Sequence, residues 1–267
     1  MKKIIISLSI IAAAAAIVIG GTTAFFSDTE TSTGNTFTAG SIDLKVDNTC
    51  HFNGGSCPEH EGIVTTWTEN DLGAIHKFFY FTDLKPGDFG EDTVSLHVHD
   101  NDAWGRLIIN NLTDSDNGCT EPELEAEQGC TPTGDGELRE NLSFWVWLDQ
   151  GKIPGFQGKS DTEEGDNIRQ EAYEPMLITP GPIDAGGETW NLWEGLAAAY
   201  QGSDYGQYGM YLDGRMVGSV TYYFGIGWEL PTDVGNDVQS DTFVGDMILQ
   251  VVQHRNNIDS AGGPISW

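Results

Sequence analysis

The chain has 267 residues, of which 41 are acidic and 12 are basic, so its formal net charge at pH 7 is −29. This charge excludes nucleic acid as a partner, because binding a polyphosphate requires a basic surface. The same charge favours solubility and can be balanced by divalent cations or by high salt. Composition alone does not distinguish a protein that binds divalent cations from one that is adapted to high salt.

The N-terminus has basic, apolar and small residues in the order that is typical of a secretory signal peptide. Lys2 and Lys3 precede an uncharged apolar run over residues 4–19, and small residues follow up to Ala24. The apolar run is shorter than the roughly 20 residues of a membrane-spanning helix. The sequence therefore predicts a secreted protein with a cleaved signal peptide over residues 1–24 and a mature chain that begins at Phe25.

The first predicted elements are strands. In residues 41–46, Ile42, Leu44 and Val46 alternate with polar residues, which indicates a half-buried strand. Residues 77–82 contain four consecutive aromatic side chains, which suits a strand covered on both faces. A turn at Pro86 and Gly87 is predicted to follow it.

The rest of the chain repeats this pattern. Further strands are predicted over residues 93–99, 107–110, 141–149, 218–228 and 241–253. One short helix is predicted over residues 190–200. Residues 113–140 and 152–187 are rich in charged residues and are predicted to be long acidic loop insertions. Together these elements predict one all-β domain over residues 36–267.

The four cysteines form two close pairs, Cys50 with Cys57 and Cys119 with Cys130. In an exported chain such pairs are predicted to be disulfides. Zinc binding is the alternative, but both gaps are longer than the roughly two to four residues typical of structural zinc ligands.

Two acidic stretches are candidates for calcium, which binds carboxylate and amide oxygens. The first holds Asp114, Asp116 and Asn117 and is the predicted site. The second is a loop with carboxylates at Asp161, Glu163, Glu164 and Asp166. Simple solvation of both loops is the open alternative, so structural calcium is a candidate ligand and no cofactor is required.

We predict no catalytic residue. His60 and Glu61 begin a zinc-protease-like pattern, but position 64 is Val64, where the second histidine of that motif would stand. His97 and His99 could share a metal, although a solvated strand edge is the preferred interpretation. Five tryptophans are interpreted as core residues in preference to a sugar-stacking face; they are Trp145, Trp147, Trp190, Trp193 and Trp228.

Three segments carry a family resemblance. Residues 20–44 (GGTTAFFSDTETSTGNTFTAGSIDL) resemble the start of the TasA/camelysin family of exported biofilm-matrix fibre proteins. Residues 84–88 (LKPGD) and 241–257 (DTFVGDMILQVVQHRNN) are similar to two further landmarks of that family.

The resemblance implies a jelly-roll-like β-sandwich that polymerises head to tail in the extracellular matrix or on the cell surface. Residues 25–35 would be a donor strand that completes a sheet of the next subunit. Its expected contact residues are Phe25, Phe26, Asp28, Thr31 and Thr33. The implied partners are further copies of the chain, a dedicated signal peptidase, and an anchoring or minor matrix protein.

Two alternatives from other functional classes, a binding domain and an enzyme, stay open at this point. One is a monomeric surface domain that binds carbohydrate or calcium through the tryptophans and acidic loops. The other is a metalloprotease, an activity that has been described for some members of the family.

Overall fold

The structure is a computed structural model, and it describes residues 42–127, 130–131, 134–200, 202 and 205–267. The ten strands of this part are β1 Asp43–Phe52, β2 Gly55–Ser56, β3 Trp67–Asn70, β4 Phe89–His99, β5 Ala103–Ser115, β6 Ser143–Leu148, β7 Met176–Gly181, β8 Glu188–Asn191, β9 Val220–Glu229 and β10 Thr242–Gln253. Its three α-helices are α1 Glu121–Ala126, α2 Leu138–Asn141 and α3 Leu192–Ala199.

The strands form two antiparallel sheets. The larger sheet has the order β2-β1-β4-β9-β6-β7, with β3 paired to β1, and the smaller has the order β10-β5-β8. Strand β4 pairs with β9 in the larger sheet, and the strands that follow them, β5 and β10, pair in the smaller one. This arrangement confirms the predicted all-β sandwich and is jelly-roll-like in its paired strands.

The main core lies between the two sheets. On β4, Val94, Leu96 and Val98 are buried, as their alternation predicts. They share one hydrophobic cluster with Leu107 of the smaller sheet and with Leu196 of α3. The period-2 pattern therefore places the apolar face of β4 correctly against the core.

The predicted strand over residues 77–82 is wrong. This segment is irregular, and it is anchored by hydrogen bonds between Val64 and residues on either side of His76. Its aromatic side chains serve different clusters: Phe78 packs against Trp67, whereas Phe81 packs against Trp228. The aromatic run therefore contributes to both hydrophobic clusters from a loop and not from a strand.

The helix prediction is correct in part. Residues 190 and 191 belong to β8, and α3 occupies Leu192–Ala199. Two short helices, α1 and α2, lie in the first acidic insertion, and β7 lies in the second, where only loops were predicted. Within the described residues, no helix is long and apolar enough to cross a membrane.

Both predicted disulfides are present. Cys50 is bonded to Cys57, and Cys119 is bonded to Cys130. The first closes the β1–β2 turn, and the second ties the two ends of the segment that contains α1. The local pairing expected from sequence is confirmed.

Candidate functional site

The smaller sheet has a long edge at β10. This strand pairs with β5 from Thr242, opposite Ser115, to Gln253, opposite Ala103. On its other side it has no strand partner among the described residues. A strand that is paired on one side only presents free N–H and C=O groups along its length.

Apolar side chains line the same edge strand. Val244 and Ile248 are 54% and 40% exposed. Met247, Leu249 and Val251 pack against the main core but are only half-buried. The β10 edge therefore combines unpaired main-chain groups with incompletely covered apolar side chains, which are the features that an added strand would use.

The predicted donor segment lies outside the described residues. Its expected contact residues are Phe25, Phe26, Asp28, Thr31 and Thr33. Ser41, the first residue of the predicted first strand, also lies outside the described residues. Sequence reasoning proposed the donor from these residues, whereas the β10 edge was found only from the sheet topology.

A second feature lies where β5 ends and β10 begins. Five carboxylates converge there, and we call them the acidic group: Asp116, Glu123, Glu127, Glu137 and Asp241. One oxygen of each is buried without a hydrogen-bond partner. Among the described residues, none of the five forms an ion pair with a basic side chain.

Burial and neighbouring negative charges raise the pKa values of two members of the acidic group. Burial, followed by the charges of Glu127, Asp241 and Asp116, raises the pKa of Glu137 to about 7. Burial raises the pKa of Asp241 to about 6, although the amides of Glu137 and Leu138 donate to its Oδ2 at 2.6 and 3.0 Å. The group therefore concentrates negative charge that the described protein leaves uncompensated.

Only one residue of the predicted calcium trio belongs to this group. Asp116 does, whereas Asp114 lies 3.3 Å from the guanidinium Nε of Arg139. The side chain of Asn117 donates to the carbonyl oxygen of Ser240 at 3.0 Å and so links the ends of β5 and β10. The trio as a calcium site remains a prediction.

The second predicted acidic loop uses its carboxylates differently. Asp161 accepts from the amide of Ile153 at 2.7 Å, and Glu164 accepts from the amide of Gly158 at 2.9 Å. Asp166 accepts from the amide of Ile168 at 3.0 Å, and Glu163 accepts from the hydroxyl of Tyr173. These oxygens are engaged in holding the loop conformation.

The histidine pair and the tryptophans have structural partners. His97 lies 2.8 Å from Asp47 Oδ2, and His99 lies 2.8 Å from Glu69 Oε1. None of the eight tryptophans is exposed, and Trp147 and Trp228 are 2% exposed. Trp147 and Trp228 are therefore core residues, as interpreted, whereas Trp145, Trp190 and Trp193 are half-buried.

Buried carboxyl groups should make stability depend on pH. Burial raises the pKa of Glu91 and Glu174 to about 8 and that of Glu164 to about 7, with additional repulsion from Asp149 in each case. These pKa values exceed the ordinary value of 4.5, so the folded state retains protons that the unfolded chain has released. Their contribution is fully present below the unfolded pKa and is lost as pH rises through the folded pKa.

We therefore expect the melting temperature in a chelating buffer to fall steadily between about pH 5 and pH 8. Thermal unfolding followed by circular dichroism at one-unit intervals measures this. Glu91→Gln should flatten the decline above pH 7, whereas the control Glu171→Gln, which removes an exposed carboxylate, should not. A melting temperature that rises over this interval would show that these carboxyl groups do not dominate the pH response.

Comparison with known protein families bears on the N-terminal part of the chain. The family model described as camelysin metallo-endopeptidase matches residues 1–54. The predicted resemblance to the TasA/camelysin family is confirmed. The match covers the N-terminal 54 residues and is consistent with an exported protein, and the two disulfides are consistent with an extracellular location. A comparison with curated proteins finds no match.

The catalytic metal of a metallo-endopeptidase does not fit the described residues. Wherever three described ligand side chains come close enough to share an ion, the set contains carboxylates, once with disulfide-bonded Cys130, and no histidine. His60, in the protease-like stretch, packs edge-on against Tyr80. We derive no proteolytic step for this chain.

Proposed function

We propose that this protein is a secreted structural subunit that polymerises head to tail into extracellular matrix or cell-surface fibres. Residues 25–35 would donate a strand to the neighbouring subunit, and β10 would accept it. The observation that carries the proposal is the β10 edge, which has no second strand partner among the described residues and carries exposed apolar side chains.

The dimensions of donor and acceptor are compatible. Residues 25–35 would extend over about 36 Å as a strand, which is close to the length of the 12-residue β10. Main-chain hydrogen bonds would supply the pairing, and alternate side chains would contact Val244 and Ile248 on one face or the half-buried Met247 and Leu249 on the other.

Phe25 and Phe26 would anchor the donor strand. Two aromatic side chains bury about 300–500 Å², which corresponds to roughly 10 kcal/mol before the cost of ordering the segment is subtracted. Since donor and acceptor are different surfaces, the contact is heterologous and leads to open filaments when the rotation between subunits does not close.

Negative-stain electron microscopy tests the proposal. The chain that begins at Phe25 is compared with a chain that lacks residues 25–35, both at the same concentration. Filaments are expected from the first chain alone. Monodisperse particles in both samples would overturn the proposal, and would be expected if residues 25–35 paired with β10 of their own chain.

A further inference from the structure

We infer that the acidic group contains a binding site for one calcium ion, with Asp116, Glu127 and Glu137 as its ligands and with Glu123 and Asp241 next to Asp116. The site is separate from the proposed strand exchange and does not depend on it. It also differs from the trio that the sequence predicts, because Asp116 is the single residue common to both.

The spacing of three of the carboxylates fits one ion. Two oxygens bound to the same Ca²⁺ at about 2.4 Å can be no more than about 4.8 Å apart. One oxygen each from Asp116, Glu127 and Glu137 satisfies this limit mutually, and so do oxygens of Asp116 and Glu123. The sulfur of Cys130 lies within the same distance of the second pair, but a disulfide sulfur is not available as a thiolate ligand.

Buried oxygens without partners point independently to a cation. Asp116 is 4% exposed and Glu123 is fully buried, yet Oδ1 of Asp116 and Oε1 of Glu123 have no hydrogen-bond donor. A buried carboxylate oxygen without a donor or counter-charge is costly. One divalent ion among these oxygens would compensate several of them at once.

The remaining oxygens are held in place by the fold. Glu123 Oε2 accepts from the amide of Thr120 at 2.9 Å and from the hydroxyl of Ser240 at 3.1 Å. Asp241 Oδ2 is held by the two amides at the start of α2. Each of these carboxylates thus has one oxygen fixed by the protein and the other left for a ligand.

The loop that closes over the group leaves little free space beside it. A Cβ atom at Gly134 would lie 2.5 Å from Asp116 Oδ2, and one at Gly136 would lie 2.9 Å from the carboxyl carbon of Asp241. The main chain at Gly134 and Gly136 therefore lies directly against Asp116 and Asp241. A larger residue at either glycine would have to displace the neighbouring carboxylate.

The ligand chemistry selects calcium. All available donors are carboxylate oxygens, which are hard ligands that suit Ca²⁺ and Mg²⁺ and do not favour zinc or copper. They come from four parts of the chain: the end of β5, α1, the start of α2 and the start of β10. Ca²⁺ accepts irregular coordination, whereas Mg²⁺ requires a near-octahedral arrangement. We therefore commit to Ca²⁺ and use Mg²⁺ for comparison.

The test measures thermal unfolding of the full chain in EDTA, in CaCl₂, in MgCl₂ and in NaCl of matched ionic strength. At a hundredfold excess of Ca²⁺ over its Kd, the melting temperature should rise by about 5–10 °C relative to EDTA. Isothermal titration with CaCl₂ should give a stoichiometry of one for this site. An equal rise in NaCl would overturn the proposal, because it would indicate general charge screening.

Glu137→Gln and the second variant Glu127→Gln should each weaken calcium binding at least about tenfold. Mutation of residues that only hydrogen-bond to metal ligands already lowers metal affinity by about this factor. The matched control is Glu125→Gln, an exposed carboxylate in α1, which should retain the full calcium response. In EDTA, Glu137→Gln should melt at a higher temperature than the unmodified chain, because it removes repulsion. The same calcium response in Glu125→Gln and Glu137→Gln would contradict the site.

Discussion

A chain that lacks residues 25–35 is expected to remain monomeric at concentrations at which the chain beginning at Phe25 forms filaments. The loss should be complete, because the deletion removes the donor's main-chain groups together with Phe25 and Phe26. Sedimentation followed by electron microscopy of the pellet measures it.

The deletion should leave the fold intact. The sheets, the main core and both disulfides lie within the described residues, which begin at residue 42. The melting temperature of the deleted chain should therefore match that of a chain prevented from assembling by another route. Filaments formed by the deleted chain would show that assembly uses a different surface.

Lysine at both Val244 and Ile248 is expected to suppress assembly from the acceptor side. Both side chains are exposed on β10, so the substitutions should not disturb the core. Losing two apolar contacts that are worth about 1.5 kcal/mol each or more corresponds to at least a hundredfold rise in the critical concentration. Charged lysines on an edge strand also oppose pairing with another strand.

A matched control separates this effect from the change in net charge. The control places lysines at two exposed apolar residues of the second acidic loop, Ile153 and Ile168, which are 47% and 62% exposed, so both variants add two positive charges. It should assemble at the same critical concentration as the unmodified chain. If the Ile153→Lys, Ile168→Lys control and the β10 variant were equally impaired, the reduced negative charge of the surface would explain the result and the β10 edge would not.

The regular strands could be predicted because each carries its own local signal. Alternation places Val94, Leu96 and Val98 on the buried face of β4 without knowledge of any other strand. The strand predicted over residues 77–82 is wrong, because four consecutive aromatic residues indicate burial but do not specify which hydrogen bonds the backbone makes. Tertiary contacts of Phe78 and Phe81 decided its conformation.

The acidic group was only partly predictable. Asp116 stands out beside Asp114 and Asn117 in a short calcium-like run. Glu123, Glu127 and Glu137 belong to an acidic stretch around the second disulfide, where any selection of carboxylates from sequence would be arbitrary. Asp241 is brought to them by the β5–β10 pairing, a contact between distant parts of the chain that no local pattern encodes.

The acceptor edge could not be predicted for a related reason. Residues 241–253 were correctly assigned as a strand, but a strand's own sequence does not state how many neighbours it has. The exposure of Val244 and Ile248 becomes meaningful only when the sheet order places β10 at the edge. Sequence resemblance therefore suggested a donor, and the topology supplied a candidate acceptor.

Mixing the two assembly variants tests the central proposal most directly. The chain without residues 25–35 retains the β10 acceptor, whereas the Val244→Lys, Ile248→Lys chain retains the donor. Each alone should be monomeric by mass photometry, and an equimolar mixture should form one-to-one dimers that do not grow further. A mixture that remains monomeric while both variants are folded would contradict donation of residues 25–35 to β10.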